Sequence, residues 1–239
     1  MNIKNCIART APFVIAAPAI AGPMEEEEHF DIYIQQDTNG RLITGGANDE
    51  TFETVPGLRV FEAEFGEDGS PNFIDEPGLF ANDLPAGTQI GFTITAPLRA
   101  WNGGDFSTIA AETITVHQAF GIPGSPAVTT PGASGERAFG FVAATADLTG
   151  FFDEHADFVL DAPSGNGVYL LTLTLWVTDG STQFGHSKPV HIIFGQNADH
   201  ELIELAEEFV EDNIANLPAP GATGLAAVAV MAATRRRRA

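Results

Sequence analysis

Across residues 168–178 the side chains alternate. Tyr169, Leu171, Leu173, Leu175 and Val177 fall on one face, and Val168, Leu170, Thr172, Thr174 and Trp176 on the other. A period of two, rich in β-branched and aromatic residues and bounded by turn residues, predicts a strand. One face is wholly apolar and the other mixed, which places this strand in the middle of a sheet packed on a second sheet. Shorter alternating runs at 29–36, 58–65, 89–95 and 113–117 predict further strands, with 41–44 as the partner of the first, a short edge piece at 98–101 after Pro97, and strands at 139–146, 155–160 and 190–194. Asn39-Gly40 between 29–36 and 41–44 reads as a type I′ hairpin turn. Residues 66–78 and 121–135 are dense in Gly and Pro and read as loops. Short strands joined by Gly/Pro turns make the expected fold all-β, an antiparallel β-sandwich of jelly-roll or Ig-like type.

The period changes at 199–214. Leu202, Leu205, Ala206, Phe209, Val210 and Ile214 recur at helical spacing, with Asp199 as the cap and Glu201 in the first turn. A C-terminal amphipathic helix is expected, packed by that stripe against the sheet. No internal repeat is present.

Charge narrows the partners. The chain has 11 basic and 32 acidic residues. Lys4, Arg9 and the Arg235–Arg238 cluster sit at the ends, so the body sets only Arg41, Arg59, Arg99, Arg137 and Lys188 against every acid. Such a surface repels nucleic acid and anionic lipid. The single cysteine, Cys6, precedes an apolar run near the start, so the mature body is expected to hold no disulfide and no redox chemistry.

The two ends read as addresses. Residues 1–21 have a mildly basic start, an apolar run from Pro12 and a small-x-small site at Ala19 and Ala21, the pattern of a cleaved signal peptide. Its apolar run falls well short of the ~20 residues a span requires. Residues 215–239 hold a Pro-rich linker with Pro218, Ala219 and Pro220, an apolar Ala/Val-rich run, and Arg235, Arg236, Arg237 and Arg238. An apolar segment before a basic cluster is a stop-transfer pattern, giving a transient inner-membrane contact. These features resemble the bacterial PEP-CTERM sorting tails, with Ala219 where the family usually has Glu. The resemblance implies export machinery and an exosortase-like protease as partners, and delivery to the cell surface or extracellular matrix. Residues 22–214 are then the β domain with its helix.

The body resembles surface proteins that carry such tails in planctomycete-like bacteria. More distantly it resembles anchored surface domains with a Gly-x-Tyr strand and a Ser-x-Pro…Phe strand. The motifs are Asp75-Glu-Pro-Gly-Leu-Phe, Leu98-Arg-Ala-Trp-Asn-Gly-Gly-Asp-Phe, Glu154-His-Ala-Asp-Phe-Val-Leu, Gly167-Val-Tyr-Leu-Leu and Ser187-Lys-Pro-Val-His-Ile-Ile-Phe-Gly. In that family a His often stands where this chain has Asp153. That family has no assigned biochemical activity for the resemblance to carry over.

Signatures of catalysis are missing. Gly132-Ala133-Ser134-Gly135 has its second glycine one place early for a nucleophile elbow. Gly165-Asn166-Gly167 precedes a strand, so it is a turn and not a phosphate loop. His200-Glu201…Glu204 lacks the second His of a zinc-protease helix. The expectation is a protein that is not an enzyme, with a structural or adhesive role.

One constellation carries chemistry. His29 and Asp31, and likewise His155 and Asp157, are two apart on expected strands, so each pair would share a face about 6.5–7 Å apart. If the strands are neighbours, the four could hold zinc or another divalent ion. The alternative is that each His is simply hydrogen-bonded to its Asp at a solvent-facing sheet edge. His117 and His191 read as packing residues. Acidic loop residues Glu67, Asp68, Asp75 and Glu76 are candidates for calcium, without EF-hand spacing. A rival function is therefore a metal-binding module, or a carbohydrate-binding one that takes envelope or matrix polysaccharide on exposed Trp101 and Trp176.

Overall fold

The computed structural model describes residues 30–215, apart from 49, 50, 52, 68, 134, 162–164 and 179–182. The leader, His29, Asp68 and the tail from 216 lie outside the described residues. In chain order the strands are β1 (Phe30–Gln36), β2 (Leu42–Asn48), β3 (Thr54–Pro56), β4 (Val60–Phe65), β5 (Phe73–Ile74) and β6 (Leu79–Ala81). Next come β7 (Gln89–Ile94), β8 (Arg99–Ala100), β9 (Thr108–Ile109), β10 (Thr113–His117), β11 (Ala127–Thr129) and β12 (Ala138–Thr145). The last are β13 (Phe152–Glu154), β14 (Asp157–Asp161), β15 (Gly167–Thr178), β16 (Gln183–Phe184) and β17 (Val190–Gln196), before helix α1 (His200–Val210). The described chain is mostly β.

Three sheets form. The eight-stranded one runs β12-β7-β15-β17-β4, with β8, β9 and β16 attached off that path. The others run β13-β6-β1-β2-β3 and β11-β10-β14-β5. All three turn an apolar face to one core. β15 supplies Tyr169, Leu171, Leu173, Leu175 and Val177 to it, the face its alternation predicts. Ile32 and Ile34 of β1, Ile114 and Val116 of β10, and Phe158 and Leu160 of β14 come from the smaller sheets. β15 is central, flanked by β7 and β17. Each fully buried Leu or Ile contributes about 1.5–3 kcal/mol of transfer free energy, which explains why the longest strand sits where both faces are covered.

Two of the three sheets are mixed rather than antiparallel throughout: β1 pairs β6, and β17 pairs β4, in parallel, while the four-stranded sheet is wholly antiparallel. Alternation within a strand reports which side is buried and nothing about the direction of its neighbour. The β1–β2 turn also differs from type I′, which needs positive φ at both central residues. Only Gly40 has it, at 77°. The Gly40 N–H donates to the Asp37 carbonyl and the Asp37 N–H to the Arg41 carbonyl, while Asp37 Oδ1 accepts from the N–H groups of Asn39 and Arg41. The aspartate thus organises a longer turn closed by a left-handed glycine. Inside the expected loops lie β5 and β11, whose two and three residues are too few to show a period.

α1 covers the outer face of the large sheet at Val60, Val168, Leu170 and Ile193. Its buried residues are Ile203, Ala206 and Val210. The expected stripe is therefore rotated, with Leu202 at the surface and Leu205 56% exposed. The cause is Gly195 beneath: an ideal Cβ there would come within 2.4 Å of Ile203 Cδ1, so the bare glycine admits Ile203. Asp199 takes the extended N-cap backbone position, but its side chain makes no capping hydrogen bond. At the far end a π turn, Glu211–Ala215, follows, and the Arg59 guanidinium donates to the Ala215 carbonyl. Among the described residues no helix is long and apolar enough to cross a membrane.

Candidate metal centre

The two smaller sheets are joined by two short crossings of the chain. One is 75–78, between β5 of the four-stranded sheet and β6 of the five-stranded sheet; the other is 155–156, between β13 and β14. Both crossings meet over the outer face of β1. Ile32 and Ile34 point into the core, so the period of two sends Asp31 outward, where the crossings cover it to 2% exposure.

Gly78 organises the group. Its carbonyl accepts the Ile32 N–H at 2.9 Å, extending the β1–β6 ladder. Its N–H donates to Asp31 Oδ1 at 2.8 Å and to Glu76 Oε2 at 3.1 Å, drawing two carboxylates onto one donor. His155 closes the ring: Nδ1 lies 3.1 Å from the Asp75 carbonyl oxygen and 3.3 Å from Glu76 Oε1. Nε2 lies 3.5 Å from Asp153 Oδ1. One donor atom from each of Asp31, Glu76 and His155 falls within 4.8 Å of the others. A Cβ on Gly78 would stand 2.6 Å from Asp31 Oδ1 and 2.8 Å from His155 Nε2, so only glycine leaves this cradle open.

The electrostatics follow from crowding. Burial, reinforced by Glu76 and Asp153, pushes the Asp31 carboxyl up to about 7, against the pull of His155 and the Gly78 N–H. The hydrogen bond to Glu76 raises His155 to about 10 in spite of burial, with the charges of Glu76 and Asp31 adding to it. Three carboxylates around one imidazole favour a cation, whether a proton or a metal ion.

The four residues expected as ligands separate. Asp31 and His155 come together. Asp157 does not join them: His155 lies in the crossing between β13 and β14, so residues 155 and 157 are not neighbours on one strand face. Asp157 pairs with His117 across β10–β14 and accepts the Phe120 N–H. His29 lies outside the described residues. Of the calcium candidates, Glu76 enters the group through its carboxylate and Asp75 through its backbone carbonyl, while Glu67 is not part of it. Gly78 went unread in the sequence; its signal is the run Asp75-Glu76-Pro77-Gly78, where proline and glycine bracket a sharp crossing.

Neither tryptophan is a free platform. Trp176 is buried, its Nε1–H donating to Thr93 Oγ1 at 3.1 Å. Trp101 packs between Phe106 and Phe209, at centroid distances of 5.0 and 5.3 Å, and so pins α1 to the sheet. His191 is buried with Nδ1 3.2 Å from Thr172 Oγ1. Compared with protein-family models, curated proteins and solved structures, the chain matches none.

Proposed function

We propose that this chain is an exported, surface-sorted protein without enzymatic activity, with a structural or adhesive role in the cell envelope or extracellular matrix. Its body is a two-layered sandwich of jelly-roll or Ig-like type, carried outward by a cleaved leader and a PEP-CTERM-like tail. One observation supports a structural role above all: among the described residues, several polar side chains able to do chemistry are spent on the fabric of the fold. Trp176 ties β15 to β7 through Thr93. Ser187 receives the Leu175 N–H on its hydroxyl, and Thr130 receives that of Ile114. Within this reading the Asp31–Glu76–His155 group is a tie between segments. The acidic body suits a medium rich in counter-ions, where screening limits self-repulsion.

The test is the fate of the full chain in a bacterial host that carries an exosortase. The expected product is a surface or matrix protein that begins after Ala21 and has lost the Arg235–Arg238 end. Cytoplasmic protein with both ends intact would overturn the proposal.

A further inference from the structure

We infer that a divalent metal ion of the zinc class binds at the seam between the two smaller sheets, held by Asp31, Glu76 and His155 and completed by Asp153. Three ligand atoms already stand within 4.8 Å of one another. A tetrahedral site with bonds of about 2.0–2.2 Å has edges of roughly 3.4 Å, so closure needs about an ångström of inward movement. Glu76 and His155 can supply it by rotation, because their side chains are 21% and 33% exposed.

Charge points the same way. A fixed N–H gathers Asp31 and Glu76 at 2.8 and 3.1 Å, and Asp153 approaches the imidazole from the other side at 3.5 Å. One imidazolium offsets a single charge of three carboxylates, whereas a dication offsets two. The supporting groups are those a metal-bound histidine uses. The Asp75 carbonyl takes the Nδ1 proton, which fixes the tautomer and leaves the Nε2 lone pair for the ion. Gly78 keeps the space clear, since a Cβ would lie against both Asp31 and His155.

The donor set selects the class of ion. One nitrogen with carboxylate oxygens suits zinc and its first-row neighbours, whereas calcium requires six to eight oxygens. The position assigns the role. Asp31 comes from the five-stranded sheet, and Glu76 and His155 come from the two crossings to the four-stranded sheet. An ion here would lock the seam between them.

The test uses the purified full chain, stripped with chelator and titrated with zinc chloride, with uptake read by calorimetry and folding by thermal melting. One equivalent of zinc per chain is expected, with a raised Tm. His155→Gln and Asp153→Asn should each weaken zinc binding about tenfold or more. Asp153 is 43% exposed, so that variant keeps its fold even if His155→Gln does not. His200→Gln should bind as the parent does. Three results would overturn the inference: no uptake by the parent below millimolar zinc, parental affinity in both site variants, or tighter binding of calcium than of zinc. The measurement is made on purified protein, so its outcome stands apart from whether the chain is exported.

Discussion

His155 and His200 both stand among carboxylates, and the difference between their surroundings shows what makes a site. His200 opens α1, with Nε2 3.4 Å from Glu204 Oε1 one turn along and Nδ1 3.9 Å from Glu64 Oε1 on β4. Glu204 arrives by local helical spacing and Glu64 from the strand beneath, on side chains that are 61% and 43% exposed. His155 meets Asp31, Glu76 and Asp153, which are brought from three places in the chain and held by a backbone donor over a buried carboxylate. Among the described residues, only the His155 group gathers three donor atoms closely enough for a metal ion. Convergence through topology on a rigid backbone makes the seam a centre. Periodic spacing makes the helix an acidic face held down by packing.

The largest expected effect breaks the helix side at its packing. Ile203 is 1% exposed and seats over Gly195, so Ile203→Ala should cost about 2–4 kcal/mol, while Leu205→Ala, at an exposed position, should stay within about 0.5 kcal/mol. Urea unfolding of both variants checks this. Equal losses would mean that the helix is held by the stripe of Leu202 and Leu205 and not by the seat over Gly195.

A middle-sized effect breaks the seam at its closest approach. Gly78→Ala sets a methyl group against Asp31 Oδ1 and the imidazole, and should cost about 1–3 kcal/mol. The melting temperature of the variant in the presence of chelator reads this loss without any metal contribution. An unchanged value would show that the crossings yield easily, and that the seam is no more rigid than the helix face.

The same contrast explains what the sequence could reveal. β15, β10 and the apolar face of β7 were legible, because an alternation of apolar and polar positions survives whatever the neighbour is; β17, buried at every residue, shows none. The parallel pairing of β4 with β17 was not, since direction leaves no trace in the alternation. Asp31 and His155 were legible as donors from their chemistry. Their true partners were hidden by a break between strands: Glu154 ends one strand and Asp157 begins another in a different sheet, so the i, i+2 rule fails between His155 and Asp157. The helix was legible as a helix, but its facing was not. Leu205 is as apolar as Ile203, and what separates them lies far off in sequence: the missing side chain of Gly195 on β17 admits Ile203.

The smallest expected effect sharpens the comparison through pH. Glu207 lies on α1 facing β4, and burial pushes its carboxyl from 4.5 up to about 7, with Glu62, Glu211 and Glu204 adding repulsion and His200 opposing it. Between those two values the folded state holds a proton that the unfolded chain has released. Stability attributable to this group is therefore full below pH 4.5 and is lost as pH rises through 7. His191 has the opposite sign: burial, with the Arg59 charge adding, lowers it from 6.5 to about 4, so its share is lost as pH falls through that window. Where the windows overlap, the two slopes oppose one another. Glu207→Gln removes one of them, so the variant should gain about 1 kcal/mol over the parent at pH 8, after allowance for screening of a part-exposed side chain, and little or nothing at pH 4. Parallel urea titrations at the two pH values decide it. A gain of equal size at both would mean that Gln simply packs better there, and that the acidic face exerts no strain on the helix it covers.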